Sequence, residues 1–344
     1  MRLFEGFQKG INLGGWLSQE DDLSPRHYRT FITEADIRTI RGFGADHVRL
    51  PVDYRRIESE EGERLEDGYR VIDQAAVWCK ANGLNLLIDM HNTYGYTFDP
   101  LEPMEDREKF FRDEALQQRF LVMWERISER YGALPHVAFE LLNEVISPDI
   151  ALEWNQVASR AVDVIRKNAP HSWIVIGGVR YNNVTSVAML DAPKDDRIVY
   201  NFHCYEPLVF THQQAYWVDR MPDDLVVHYP DTVKQYQIAC QTLPENLVAA
   251  IDGLDPECRG IEILRKLFEG AVNAARTNHA PLYCGEYGVI DRAPAEDTLR
   301  WMQDIHSLFE EYGIGRAYWT YREKDFGLTG SHFDSIREEM IRVL

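Results

Sequence analysis

Short apolar runs recur along the chain: GINLGGW (10–16), HVRLPV (47–52), NLLIDMH (85–91), VAFELLNE (137–144), WIVIGGV (173–179), IVYNFHCY (198–205), LYCGEYG (282–288) and RAYWTYR (316–322). A strand with one wet face alternates apolar and polar residues, whereas a strand covered on both faces is apolar throughout. These runs are of the second kind and predict buried parallel strands. Between them, apolar residues return every three or four positions over 33–44, 69–83, 114–131, 151–168, 260–278 and 294–313, the spacing of one helix face. Thr33 is placed to cap the first of these helices and Gly44 to end it. The segment after the fifth run is weakly helical (186–191), and 335–344 supplies an eighth helix. Eight strands alternating with helices predict an α/β fold, a (β/α)8 barrel, with 1–344 as a single domain. The sixth and seventh runs start 84 residues apart, against 25 to 52 elsewhere. The excess, 206–259, is rich in aromatics, Asp and Pro and predicts an inserted subdomain after strand six. It emerges at the C-terminal face, beside whatever cleft lies there.

Composition narrows the partners. Of 344 residues 45% are hydrophobic, enough for a sizeable core, while 37 basic against 56 acidic residues leave a formal charge of −19. Such a surface repels nucleic acid and anionic polymers. Five cysteines without a CxxC spacing point to reduced thiols rather than a disulfide framework or zinc. The N-terminal residues contain no long apolar stretch of a signal peptide, and no run approaches 18 apolar residues. A cytoplasmic monomer that binds no membrane is expected, with secretion not excluded.

In a barrel of this kind the chemistry sits at the C-terminal ends of the strands. Read there, the runs carry Arg49; His91 and Asn92; Asn143 and Glu144; His203 and Tyr205; Glu286; and Trp319. Taken singly, each has a structural explanation: a salt-bridged arginine, a satisfied core histidine, an aromatic with a polar tip. Taken together, six strands presenting compatible groups at one mouth point to a site. Two carboxylates, on strands four and seven, lie across that mouth and could flank a bond. Glycoside hydrolysis needs such a pair, one acid to protonate the leaving oxygen and one carboxylate to attack or to activate water. The two must differ in acidity. Arg49 and Tyr205 are placed to keep Glu286 ionised, and Glu144, with fewer cationic neighbours, to stay protonated. Asn143 suits a sugar 2-hydroxyl and Trp319 a sugar face. Trp16, Tyr94, Tyr96 and Phe98 are expected beside it as further stacking surfaces.

These residues resemble the signature of glycoside hydrolase family 5. The family's Arg falls on Arg49, its strand-three His on His91, its Asn-Glu pair on Asn143 and Glu144, its His-x-Tyr on His203 and Tyr205, its nucleophile on Glu286 and its Trp on Trp319. Asn92 departs from many cellulases, in which a second His follows. The chain is similar to the compact endoglucanase C type through GINLGGWLSQ, FITEADI, YWTYREKDF and the insert. The resemblance implies a retaining endo-β-glucanase without cofactor or metal. It would have Glu286 as nucleophile and Glu144 as acid/base, acting on internal β-1,4 bonds of mixed-linkage β-glucan, cellulose derivatives and cello-oligosaccharides. A β-mannanase or exo-β-1,3-glucosidase of the same family is the alternative. A metal-dependent barrel hydrolase would want His-x-His on strand one, which GINLGGW lacks, and a mere binding protein has no use for both Glu144 and Glu286.

Overall fold

The computed structural model describes residues 1–102 and 106–344. Its strands are β1 (Lys9–Asn12), β2 (His47–Asp53), β3 (Asn85–Asn92), β4 (Val137–Glu140), β5 (Ile174–Gly177), β6 (Ile198–Cys204), β7 (Leu282–Tyr287) and β8 (Gly315–Tyr318). They close in chain order into a parallel barrel, β8 pairing back onto β1. The (β/α)8 fold expected from the hydrophobic rhythm is therefore present. The helices Glu114–Tyr131 and Ala151–Asn168 span the residues expected of them, and the others differ by a few residues at their ends. Local chemistry sets several ends. Thr33 and Asp36 form a capping box at Glu34–Gly42. The Asp113 carboxylate caps Glu114–Tyr131, and Gly313, with a φ of 65°, closes Ala295–Tyr312. After β5 the weakly helical segment is a short 3-10 helix, Val184–Met189. No helix among the described residues is long and apolar enough to cross a membrane.

Strand alternation explains why the runs are continuously apolar. One face of each strand packs under the helices; Val48, Leu50, Leu86, Ile88, Phe139, Ile174, Ile198, Phe202 and Leu282 all belong to that large outer core. The opposite face points into the barrel. There Phe4, Phe7, Leu87, Ala138, Trp173, Val175, Val199, Tyr283 and Ala317 form a separate apolar plug, with Phe4 and Phe7 stacked at 4.2 Å. Strand pairing is regular except at β2, β6 and β7, where the register shifts at Val52/Asp53, Phe202/His203 and between Cys284 and Tyr287. Such irregularities re-aim side chains, and two of them flank His203 and Glu286, which come to lie side by side in the register.

Several strands stop earlier than their apolar runs. β4 ends at Glu140, so Asn143 and Glu144 stand three and four residues beyond it, not on the strand. Backbone hydrogen bonds from Leu141 to Val175 and from Asn143 to Met90 carry the chain onward between β5 and β3. Trp319 and Tyr205 likewise follow β8 and β6 rather than ending them. In the segment 206–259, Phe210, Tyr229 and Tyr236 are buried, whereas Tyr216 is 69% exposed. Contacts tie the segment to the helix Ala295–Tyr312: the Tyr229 hydroxyl donates to Asp304, and His228 pairs with Asp297.

Candidate active site

Above the apolar plug the barrel interior turns polar. Arg49 is not at the rim, as its strand suggested, but in mid-strand and fully buried. All five of its N–H groups are used. Nε donates to Glu140 Oε2 at 2.7 Å, Nη1 to Asn12 Oδ1 at 2.9 Å and to Glu286 Oε1 at 2.7 Å. Nη2 donates to Glu140 Oε1 at 2.9 Å and to Asn143 Oδ1 at 2.8 Å. A buried guanidinium is tolerated only when satisfied in this way. Glu140 takes a further bond from Asn201 Nδ2, at 2.9 Å.

Over this layer stand the two expected carboxylates. Glu286 is 5% exposed; its Oε1 receives Arg49 and its Oε2 the Tyr205 hydroxyl at 2.9 Å. Glu144 Oε1 lies 2.8 Å from His203 Nδ1, which is also 3.6 Å from Glu286 Oε2. A carboxylate oxygen of Glu144 and one of Glu286 lie within 4.8 Å of each other. Burial pushes the Glu144 carboxyl well above the usual range, and the negative Glu286 pushes it further. Burial also raises Glu286, but Arg49 and the Tyr205 hydroxyl pull it back, leaving it the more acidic of the two. Glu144 has a φ of 45°, unusual for a side chain larger than glycine. Backbone held this way costs on the order of 1–3 kcal/mol, and the Tyr96 hydroxyl, bonded to the Glu144 carbonyl, helps to hold it.

The remaining expected residues converge, with differences of detail. His91 is buried, its Nδ1 2.6 Å from Asp89 Oδ2, and its ring lies parallel to that of Trp319 at 5.8 Å. Trp319 can lie there because residue 14 is glycine; a Cβ at Gly14 would sit 2.8 Å from the indole. Asn143 Nδ2 and Asn92 Oδ1 are buried without partners, while Asn92 Nδ2 donates to Asp53. His203 Nε2 is 3.4 Å from Asn182 Nδ2, on a left-handed turn formed by Arg180, Tyr181 and Asn182. That turn packs so closely on β5 that a Cβ at Gly177 would meet Asn182 at 2.3 Å.

Three aromatics expected at the rim are elsewhere. Trp16 is fully buried, stacked on Trp78 and bonded to the Tyr28 carbonyl. Tyr96 is fully buried beneath Glu144, and Tyr94 is covered by the Arg119 guanidinium. Phe98, edge-on to His91, remains near the site. Asp89, Glu140, Asn201, Asn12 and Asn182 were missed. The signal for the first two was legible: an acid inside an apolar run, in NLLIDMH and in FELLNEV. Among the described residues, Glu144, His203 and Glu286 are the one cluster whose donor atoms converge closely enough for a metal ion. Those atoms already bond one another, Arg49 and Tyr205, the pattern of an acid pair.

Residues 8–325 match the family described as Cellulase (glycosyl hydrolase family 5). Endoglucanase C of Acetivibrio thermocellus is 39% identical over 98% of this chain and 98% of its own length. Cellodextrinase A of Ruminococcus flavefaciens is 41% identical over 90% of this chain and 84% of its own. In structure, Cel5A of Thermotoga maritima, solved with mannotriose, superposes with a TM-score of 0.77 over 98% of this chain and 97% of its own, at 22% identity. At that identity it supports the fold alone.

Proposed function

The chain belongs to glycosyl hydrolase family 5, and we propose that it cleaves internal β-1,4 bonds of soluble β-glucans by a retaining double displacement. Membership makes it a glycoside hydrolase of the endoglucanase kind. The relatives named endoglucanase and cellodextrinase support a β-1,4-glucan chain as substrate. The observation that carries the mechanism is the approach of the Glu144 and Glu286 carboxylate oxygens to within 4.8 Å. Retention uses carboxyl groups about 5–5.5 Å apart, whereas inversion needs about 6.5–9.5 Å to admit a water.

In this reading Glu286 attacks the anomeric carbon while Glu144 protonates the departing oxygen. Arg49 and the Tyr205 hydroxyl hold the nucleophile ionised and aimed. Glu144 leaves the first step as a carboxylate; once Glu286 is esterified its negative charge no longer raises Glu144, which stays ionised and takes a proton from the incoming water as the base of the second step. The buried, unpartnered Asn143 Nδ2 is oriented by Arg49 on its oxygen and is free to donate to a sugar hydroxyl. Trp319 floors the sugar. Activity falls on the acid side as Glu286 takes up a proton and on the alkaline side as Glu144 loses its own.

Azide separates the roles. With an activated aryl cellobioside, Glu144→Ala is expected to give a β-glycosyl azide and Glu286→Ala an α product; the reverse pattern reverses the assignment. Inversion in the wild type, seen by NMR of the first product anomer, refutes the mechanism. A screen on barley β-glucan, carboxymethylcellulose, laminarin, mannan and xylan tests the substrate. Glucose release without a fall in viscosity refutes internal cleavage.

A further inference from the structure

Four carboxylates, Asp89, Glu140, Glu144 and Glu286, crowd around the buried guanidinium of Arg49. Hydrogen-bond accounting separates them. Glu140 accepts two N–H groups of Arg49 and one of Asn201, so it has acceptor work on both oxygens and nothing to which it could donate. Glu286 accepts from Arg49 and Tyr205. Asp89 is different. Its Oδ2 lies 3.0 Å from Arg49 Nη2, but both hydrogens of that nitrogen go to Glu140 and Asn143. Its Oδ1 is buried with no partner. Its one hydrogen-bond partner is His91 Nδ1, at 2.6 Å. An ionised carboxylate with no exposure and a single neutral partner is poorly solvated, and three other acids share the nearest cation.

We propose that Asp89 is a neutral carboxylic acid in the working enzyme, donating its proton to His91 Nδ1, and that it is thereby a positioning residue that holds His91 as the Nε2–H tautomer. The Oδ2–H bond points at the lone pair of Nδ1, and the ring proton is left on Nε2, which makes no hydrogen bond among the described residues. His91 then offers an N–H to the substrate beside Trp319, where the opposite tautomer would offer a lone pair. The groups facing Asp89 are Arg49 on β2, Glu140 and Glu144 from β4 and the chain after it, Glu286 on β7 and His91 on its own strand. Three of these five are acids; the ionised Glu140 and Glu286 oppose ionisation of Asp89, Glu144 is itself protonated, and Arg49 alone favours the charge. Burial raises Asp89 to about 7 and lowers His91 to about 4, so at mildly acid pH the pair holds one proton on each residue and His91 carries no charge.

A joint X-ray and neutron structure of the perdeuterated wild type, from crystals held at about pD 6, below the value of about 7 for Asp89, reads the arrangement without a variant. Deuterons on Asp89 Oδ2 and His91 Nε2 are expected. A deuteron on His91 Nδ1 with Asp89 bare overturns the proposal. A kinetic arm rests on the reaction proposed above. Asp89→Asn replaces one neutral group by another, so the acid limb of the kcat/KM profile keeps its position even if kcat/KM falls. If Asp89 were ionised, removing its charge beside Glu286 would move that limb acidward by roughly one unit or more, which also overturns the proposal. Because the neutron measurement needs no turnover, failure of the proposal and failure of the functional reading are separate results.

Discussion

The two levels of the barrel interior are built by the same strands, two residues apart. On β3, Leu87 belongs to the apolar plug and Asp89 and His91 stand above it. On β4, Ala138 lies below Glu140, and on β6, Val199 lies below Asn201 and His203. Backbone, alternation and burial are alike on both levels, yet one holds only packing and the other nearly every group with a chemical role. The lower level excludes water and stabilises the fold. The upper level sinks four acids and one arginine into the same dry interior, where each is costly unless paired. Distance along the barrel axis, rather than the kind of element, separates the part that holds the protein together from the part that does the work.

The comparison can be broken or sharpened by substitution. The largest effect is expected at Glu286→Ala, which removes the nucleophile proposed above. The loss of kcat should be at least about 10⁴-fold, as for other covalent nucleophiles, with no matching fall in Tm; a variant that retains wild-type turnover rules Glu286 out. Arg49→Leu should strike both properties at once. It leaves Glu140 and Glu286 buried without their cation, a cost of about 3–5 kcal/mol by denaturant unfolding, and activity should fall with it. Leu87→Ala, at the lower level, should cost about 2–5 kcal/mol by the cavity it leaves, while kcat/KM measured well below the Tm stays near wild type. A large activity loss there without unfolding would erase the distinction between the levels.

A smaller effect concerns pH. Burial raises Asp89 to about 7. A carboxyl raised in the folded state binds its proton more tightly there than in the unfolded chain, so its contribution to stability is complete below the unfolded value, about 4. It is lost as the pH rises through the folded value. Tm should therefore decline between about pH 4 and pH 7, and decline less in Asp89→Asn; an equal decline in both removes Asp89 as a source. The smallest effect is expected at Tyr216→Ala. Its 69% exposed ring is free to touch a long glucan, unlike the buried Phe210, Tyr229 and Tyr236 of the same segment. KM on barley β-glucan should rise by a few-fold at most with Tm unchanged, whereas Tyr236→Ala should lower Tm and leave KM alone.

Much of this was legible in the sequence because it rests on local rules. Continuous apolar runs are what strands covered on both faces require, and their alternation with helical spacing counted out the eight βα units. The polar residues that interrupt those runs pointed to Glu144, Glu286, Arg49, His91 and His203, since buried polar groups need a reason. Tertiary structure decided what pattern does not encode. Trp16 and Tyr96 have the same local signature as Trp319, yet they are buried elsewhere, because whether an aromatic faces a cleft depends on residues far away in the chain. Arg49 looked like a rim residue until the barrel closed and its five N–H groups met Asn12, Glu140, Asn143 and Glu286, which come from three other parts of the chain. Sequence periodicity reports which face of a strand is covered. How high on the barrel axis a side chain stands, and which acids share one cation there, follows from the register of eight strands closing on one another, and only the folded chain sets that register.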